Sequence, residues 1–305
     1  MDRTKVAAIV GPTAVGKTDV SLDVARALDA EIVSVDSMQV YRGMDAGTAK
    51  PGPHARAAVV HHLIDVAEPT HDVTVAEFQR AGRRAVEEIA ARGKLPLLVG
   101  GSGLYFRALV DDLELPPRSE AVRAALEKEA QSVGPEGLYE RLRALDPGAA
   151  ARIEPGNARR IVRALEVIEV TGRPFSDNRS WDDYSSIYEL AIVGLERARA
   201  DLVARIDSRV NEMLERGLVE EARRLEERGM SRAARQALGY RQVLDAGPDA
   251  SRDELRAAIV KATARYARRQ MSWWRSDPRI AWHDAGSDDL ATGLVAYFRE
   301  ALRLP

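Results

Sequence analysis

Lys5-Val6-Ala7-Ala8-Ile9-Val10 runs straight into Gly11-Pro12-Thr13-Ala14-Val15-Gly16-Lys17-Thr18, and the reading of this stretch decides the fold. The first part is a short, mostly apolar run with β-branched residues, which predicts a buried parallel strand. The second part matches the pattern G-x-x-x-x-G-K-[ST]. Asp19 to Leu28 follows with helical spacing, Val20, Val24, Ala27 and Leu28 falling on one side. A strand, a glycine-rich loop and a helix in this order form a cradle for a polyphosphate. The glycines let the loop wrap closely, and backbone amides at the helix N-terminus supply positive potential. Lys17 adds a point charge, and the Thr18 hydroxyl is a candidate magnesium ligand.

Working outward, Glu31 to Val35 predicts a second strand that ends at Asp36, and His61 to Val66 a third. Thr74 and Glu77 fit a capping box, opening a helix that runs to about Arg92 before Gly93. Leu95 to Val99 reads as another strand, ending in Gly100-Gly101-Ser102-Gly103. Alternating strands and helices predict an α/β fold: a P-loop NTPase-like parallel sheet flanked by helices. From about Pro116 to Arg179 the pattern is helical with Pro- and Gly-containing loops, and Tyr188 to Leu195 reads as a strand returning to the sheet. The expected organisation is therefore a core domain of residues 1–115 and 188–305, with a mostly helical insertion domain at 116–187. Helices are expected over Ala200 to Arg216, Leu218 to Arg228 and Ser251 to Arg275, then a short strand at Ile280 to His283 and a last helix.

Composition sets outer limits. The 305 residues are 45% apolar and 30% charged, a globular balance with material for a sizeable core. There are no cysteines, so disulfides and cysteine-based zinc sites are excluded. No apolar run is long enough for a signal peptide or a membrane span, and a cytoplasmic location is expected. The net charge is −2, but Arg159, Arg160 and Arg163 cluster, as do Arg265, Arg268, Arg269 and Arg275. Such clusters fit either a solvated helix face or a local nucleic-acid-binding patch.

The phosphate loop alone does not say which polyphosphate is bound. Nucleotide hydrolases usually carry a second apolar strand ending in an acid that holds magnesium. Here the strand Leu95 to Val99 ends in glycines, whereas the strand Glu31 to Val35 ends in Asp36. An acid at that edge of a parallel sheet faces the reacting end of a bound polyphosphate. It can cap a turn, help bind magnesium, or act as a general base on an acceptor. A small-molecule kinase, a prenyltransferase for free adenine nucleotide and a non-catalytic RNA-binding protein all fit these features.

An ordered set of further segments resembles one family, the bacterial tRNA dimethylallyltransferases (tRNA isopentenyltransferases). It comprises the phosphate loop, Asp36-Ser37-Met38-Gln39-Val40-Tyr41, Gly47-Thr48-Ala49-Lys50-Pro51, His61-His62-Leu63-Ile64-Asp65 and Val99-Gly100-Gly101-Ser102-Gly103-Leu104-Tyr105. It continues through Arg160-Ile161-Val162-Arg163-Ala164-Leu165-Glu166-Val167, Gln236-Ala237-Leu238-Gly239-Tyr240-Arg241 and Arg268-Arg269-Gln270-Met271-Ser272-Trp273-Trp274-Arg275. Two positions depart from the family pattern: Ser102 stands where Thr is usual, and Asn157-Ala158 where Asn-Asp is common.

The resemblance implies transfer of a dimethylallyl group from its pyrophosphate to N6 of the adenosine 3′ to the anticodon, with magnesium required. It implies pyrophosphate binding by Gly11, Pro12, Thr13, Ala14, Val15, Gly16, Lys17 and Thr18, with Thr18 on the metal. Asp36 would be the general base, Ser102 would orient the amine or a phosphate, and Arg209 would face the pyrophosphate, although a surface pair with Glu212 or Glu215 fits its place in the sequence equally well. Base and backbone contacts to tRNA are expected from Asp36, Ser37, Met38, Gln39 and Ser102, and from Arg123, Arg159, Arg160, Ile161, Val162 and Arg163 in the insertion, which would grip the anticodon stem. Further contacts are expected from Gln236, Ala237, Leu238, Gly239, Tyr240, Arg241, Arg268, Arg269, Gln270 and Arg275. At most one of Trp273 and Trp274 is expected to be free to stack on a base. His61 is expected to be structural, and the chain a monomer.

Overall fold

The computed structural model describes residues 3–177, 183–247 and 249–305. Its sheet has six strands: β1 (Lys5–Val10), β2 (Ala30–Val35), β3 (His61–His62), β4 (Leu95–Gly100), β5 (Glu189–Glu196) and β6 (Ile280–Asp284). They lie in the order β3-β2-β4-β1-β5-β6, and every neighbouring pair is parallel. Because successive side chains point to opposite faces, the inner strands feed two apolar layers. Val6, Ala8, Val10, Val33, Val35 and Leu98 pack on one face with Phe78, Val86, Phe106 and Trp274. Ala7, Ile9, Ile32, Leu97 and Val193 pack on the other with Val20, Val24, Leu294 and Phe298. Central strands buried on both faces explain the near-continuous apolar runs in the sequence.

The third strand is shorter than the sequence suggested. Only His61 and His62 join the ladder to β2. Leu63 and Asp65 then turn away in the left-handed region, at φ 62° and 58°. The Asp65 carboxylate explains the turn, since it is drawn to Lys50 Nζ at 2.5 Å and Arg56 Nη1 at 2.8 Å. Both capping boxes form: Thr74 with Glu77, and Ser251 with Glu254.

The chain divides into two compact units, residues 1–111 with 186–305, and residues 112–185. These boundaries lie a few residues from the expected 116 and 187, because Asp111 bridges Ser186 beside the sheet. The regular elements among the second unit's described residues are all helices, joined by irregular segments such as 112–119; residues 178–182 of the expected insertion lie outside the described residues. Its helix Glu120–Leu145 breaks at Gly134 (φ 74°), ahead of Pro135, and packs Leu126, Leu138 and Leu142 against Ile161 and Leu165 of helix Ala158–Thr171. Among the described residues, no helix is long and apolar enough to cross a membrane.

Candidate active site

Three adjacent strands deliver the site at their C-terminal ends. β1 runs into the phosphate loop, β2 into Asp36, and β4 into the turn Gly100-Gly101-Ser102. Together with helices Arg199–Glu215 and Arg252–Trp274 they enclose a cavity of about 460 Å³, lined by Thr13, Lys17, Thr18, Asp36, Gln39, Arg209, Tyr266 and Gln270 among others.

The phosphate loop turns into its helix through Gly16, whose φ of 114° is costly for any residue with a Cβ. Ala14, at φ 64°, is held by its carbonyl accepting from Arg205 Nε at 2.9 Å. Lys17 Nζ folds back to donate to the carbonyls of Gly11 (3.0 Å) and Pro12 (2.7 Å). Burial, reinforced by the Arg209 charge and opposed by Asp36, pushes its pKa down to about 7. Arg209 Nη1 donates to Thr13 Oγ1 at 3.0 Å, so its guanidinium belongs to the loop rather than to Glu212 or Glu215. Burial lowers the Arg209 pKa, against the attraction of Asp36 and Glu212, and its buried Nε has no protein partner. The Thr18 side chain is exposed at the start of the same helix, where its hydroxyl can serve as a metal ligand.

Asp36 uses Oδ1 to accept from the backbone amides of Met38 (2.8 Å) and Gln39 (3.3 Å). This turn fixes the carboxylate at the cavity wall and leaves its second oxygen for a ligand. Ser102 Oγ accepts from Ser37 N at 3.4 Å, tying the β4 turn to the Asp36 turn.

The remaining expected contacts divide sharply. Gln39 is spent on the wall: its Oε1 accepts from Ser34 Oγ at 2.8 Å, and its Nε2 donates to the carbonyls of Thr48 and Ala49. It shapes the acceptor side and is not free to read a base. Met38 packs half-buried against the core. Ile161 and Val162 are 0% and 3% exposed in the second unit's core, so their side chains cannot reach RNA. Arg163 is half-buried and donates to the carbonyls of Pro116 and Pro117, while Arg123 pairs with Glu127 at 3.2 Å. Arg159 and Arg160 are exposed.

In the core unit Ala237 and Tyr240 are buried, a correction to their expected place on an RNA surface. The Tyr240 hydroxyl donates to Glu221 Oε1 at 2.5 Å and accepts from Gly47 N at 3.1 Å, anchoring the loop that carries Thr48 and Ala49. Gly239 is buried and Leu238 half-buried, which leaves Gln236 and Arg241 exposed. Arg268, Arg269 and Arg275 are exposed; Arg269 lies 5.7 Å over the Tyr266 ring, and Arg275 pairs with Glu196 at 2.7 Å. Gln270 is buried in the cavity wall and not on the surface. Trp274 is fully buried and Trp273 half-buried. His61 lines the cavity with Nδ1 donating to Val59 O at 2.8 Å, and burial lowers its pKa.

Tyr266 was missed in the sequence. It lines the cavity, and burial, with the nearby Asp36 charge, pushes its pKa up to about 12. It sits four residues before Gln270 on one helix, a spacing that shares a face and would have revealed it once Gln270 was placed.

A lysine folded over a glycine loop, with an acid at the end of a strand two places along the sheet and an arginine braced on the loop, defines a P-loop protein built to hold a polyphosphate against a second reactant. Comparison with known proteins narrows the class. The family model described as IPP transferase matches residues 39–277, and the chain belongs to that family. The tRNA dimethylallyltransferase of Streptomyces coelicolor is 50% identical over 288 residues, covering 93% of this chain and 92% of that protein. Among solved structures, the tRNA isopentenylpyrophosphate transferase of Bacillus halodurans is similar at TM-score 0.71 and 38% identity, with 99% of both chains covered. A eukaryotic dimethylallyltransferase acting on tRNA is similar at TM-score 0.81 and 25% identity, covering 99% of this chain and 80% of that one.

Proposed function

We propose that this chain transfers a dimethylallyl group from dimethylallyl pyrophosphate to N6 of the adenosine 3′-adjacent to the anticodon in tRNA. The observation that carries the reading is one cavity holding both a phosphate cradle and the Asp36 carboxylate. The bond between C1 of the dimethylallyl group and the pyrophosphate oxygen breaks, and a bond between N6 and C1 forms. The N6 proton passes to Asp36, and pyrophosphate leaves.

The adenine amine is a weak nucleophile, because its lone pair is delocalised into the ring. Asp36 accepts a hydrogen bond from it and takes its proton as the new bond grows, a general-base task. Charge builds on the departing pyrophosphate. Lys17, the loop amides and Arg209 would stabilise that charge, a strong form of transition-state stabilisation. The unpartnered Arg209 Nε gains a partner when a phosphate oxygen arrives. Magnesium, held by the Thr18 hydroxyl, would neutralise the same charge.

A base stacked in an anticodon loop reaches this cavity only by flipping out. Exposed Arg159, Arg160, Arg241, Arg268 and Arg269 suit backbone contacts with the RNA. Buried Ile161, Val162, Ala237 and Tyr240 are left out of that role. The protein works as a monomer in the cytoplasm.

The test is incubation of purified protein with magnesium and radiolabelled dimethylallyl pyrophosphate, with bulk tRNA or AMP as acceptor. Label in tRNA alone supports the reading. Label in AMP replaces the acceptor by a free nucleotide, and label in neither refutes the transfer.

A further inference from the structure

Gln270 is only 7% exposed, yet its carboxamide is fully engaged with two backbone segments. Nε2 donates to Gly101 O at 2.9 Å, and Oε1 accepts from Thr13 N at 2.9 Å. Thr13 lies in the phosphate loop after β1, and Gly101 in the turn after β4. From Thr13 the chain of contacts continues to Arg209 through Thr13 Oγ1. From Gly101 it continues through Ser102 Oγ to Ser37 N, the residue after Asp36. Tyr266, four residues before Gln270 on the same helix, lines the same cavity. One side chain therefore joins the parts that hold the leaving group to the parts that hold the acceptor.

The chemistry of the joint is selective. It needs one donor and one acceptor at the ends of one planar group. A carboxylate would set negative oxygen against the Gly101 carbonyl, and a hydrocarbon would leave the Thr13 amide without an acceptor. A methyl group on Gly101 would collide with Gln270 Nε2, so the turn is built around this amide.

Resting on the transfer reading above, we propose that Gln270 is a positioning residue that locks the phosphate loop to the acid-bearing turn, so that the donor carbon and the attacking nitrogen meet in register. Small misplacements of reacting groups cost rate steeply, roughly a hundredfold for about 1 Å. Gln270 acts through the backbone that it holds.

The experiment compares Gln270→Leu and Gln270→Glu with wild type in single-turnover transfer at saturating substrates from pH 6 to 8.5. Donor affinity and thermal midpoint are measured on the same samples. Gln270→Leu is expected to slow transfer roughly tenfold to a hundredfold, with donor affinity and midpoint little changed. For Gln270→Glu, the rate divided by that of wild type at each pH is expected to climb as pH falls. A protonated carboxyl donates to Gly101 O while its carbonyl oxygen accepts from Thr13 N. Taking the ratio cancels pH effects common to both proteins, that of Lys17 included. A ratio independent of pH, or a rate loss that merely follows a lowered midpoint, overturns the proposal. Wild type that labels no tRNA removes the transfer reading and this inference with it; active wild type with unimpaired variants removes the inference alone.

Discussion

Raising the pH should weaken donor binding through a single lysine. In the free protein Lys17 has its pKa pushed from the ordinary 10.5 down to about 7, chiefly by burial and then by Arg209. A bound pyrophosphate adds negative charge to that of Asp36 beside Lys17, and restores the charged form. Above pH 7 the free site is mostly neutral, so each binding event must take up a proton. The penalty grows as 1 + 10^(pH − 7), giving a loss of about tenfold in affinity from pH 6 to 8 and about ninefold more from pH 8 to 9, since one pKa unit is about 1.36 kcal/mol. The second interval is the cleaner one, because the phosphates themselves finish titrating near pH 6 to 7. Isothermal calorimetry with dimethylallyl pyrophosphate, run at pH 8 in buffers of different ionisation enthalpy, should report uptake of nearly one proton. Lys17→Arg, which stays charged, should bind without proton uptake. The sign on stability follows from the same shift. Between about 7 and 10.5 the unfolded chain holds more protons at this site, so the ligand-free protein gains stability as pH rises through that window and loses it as pH falls through the folded value. Flat affinity between pH 8 and 9 with no proton uptake would refute the assignment of a neutral Lys17.

Asp36→Asn should keep tRNA binding but slow transfer by roughly a hundredfold or more, measured as single-turnover label incorporation beside a filter-binding assay; near-normal turnover removes the base. Tyr240→Phe deletes the hydroxyl that accepts from Gly47 N and donates to Glu221, and should cost about 1–3 kcal/mol in urea unfolding. Asp111 is 1% exposed between Arg107 and Arg279; Asp111→Ala strips two guanidinium groups of this partner and should cost about 3–5 kcal/mol, with an unchanged midpoint counting against a buried ion cluster.

The parts legible in the sequence are those whose cause is local. The phosphate loop needs its glycines, lysine and threonine in consecutive positions, so its residues announce it. Strand runs announce themselves because both faces of the inner strands are buried, and the two capping boxes form within four residues. The wall of the site was not legible. Thr13 and Gln270 are 257 positions apart, and Gly47 and Tyr240 are 193 apart. No periodicity reports such a pairing. The assignment of RNA contacts by family segment failed where a segment runs around a helix. Residues Arg159 to Arg163 cover more than one turn, so an exposed arginine and a buried isoleucine must both fall inside it. The spacing of Ile161, Leu165 and Ile168 already marks the buried side of that helix. Arg209 illustrates the reverse case: a surface pair with Glu212 or Glu215 fits its helix, and only the fold brings Thr13 within reach.

The absence of an acid at the end of β4 follows from packing. Gly100 is paired to Val35 across the ladder, and a Cβ on it would run into the Val35 carbonyl. Beside it, the end of the Gln270 side chain fills the space at Gly101. No carboxylate can be mounted at Gly100 while β2 and β4 keep this register. The neighbouring strand ends in Asp36, whose carboxylate is set by its own turn through Met38 N and Gln39 N. Moving the acid one strand over changes what it can do. Beside the phosphate loop on β4 it would hold metal and order water for attack on phosphorus, as in nucleotide hydrolases. On β2, across the cavity from Lys17 and Arg209 and beside Ser102 and Tyr266, it is placed to take a proton from a second substrate. The loop is left to hold a leaving group. The same cradle that elsewhere supports phosphoryl transfer then serves alkyl transfer, with the end of β4 closed at Gly100 and the acid carried by the adjacent strand.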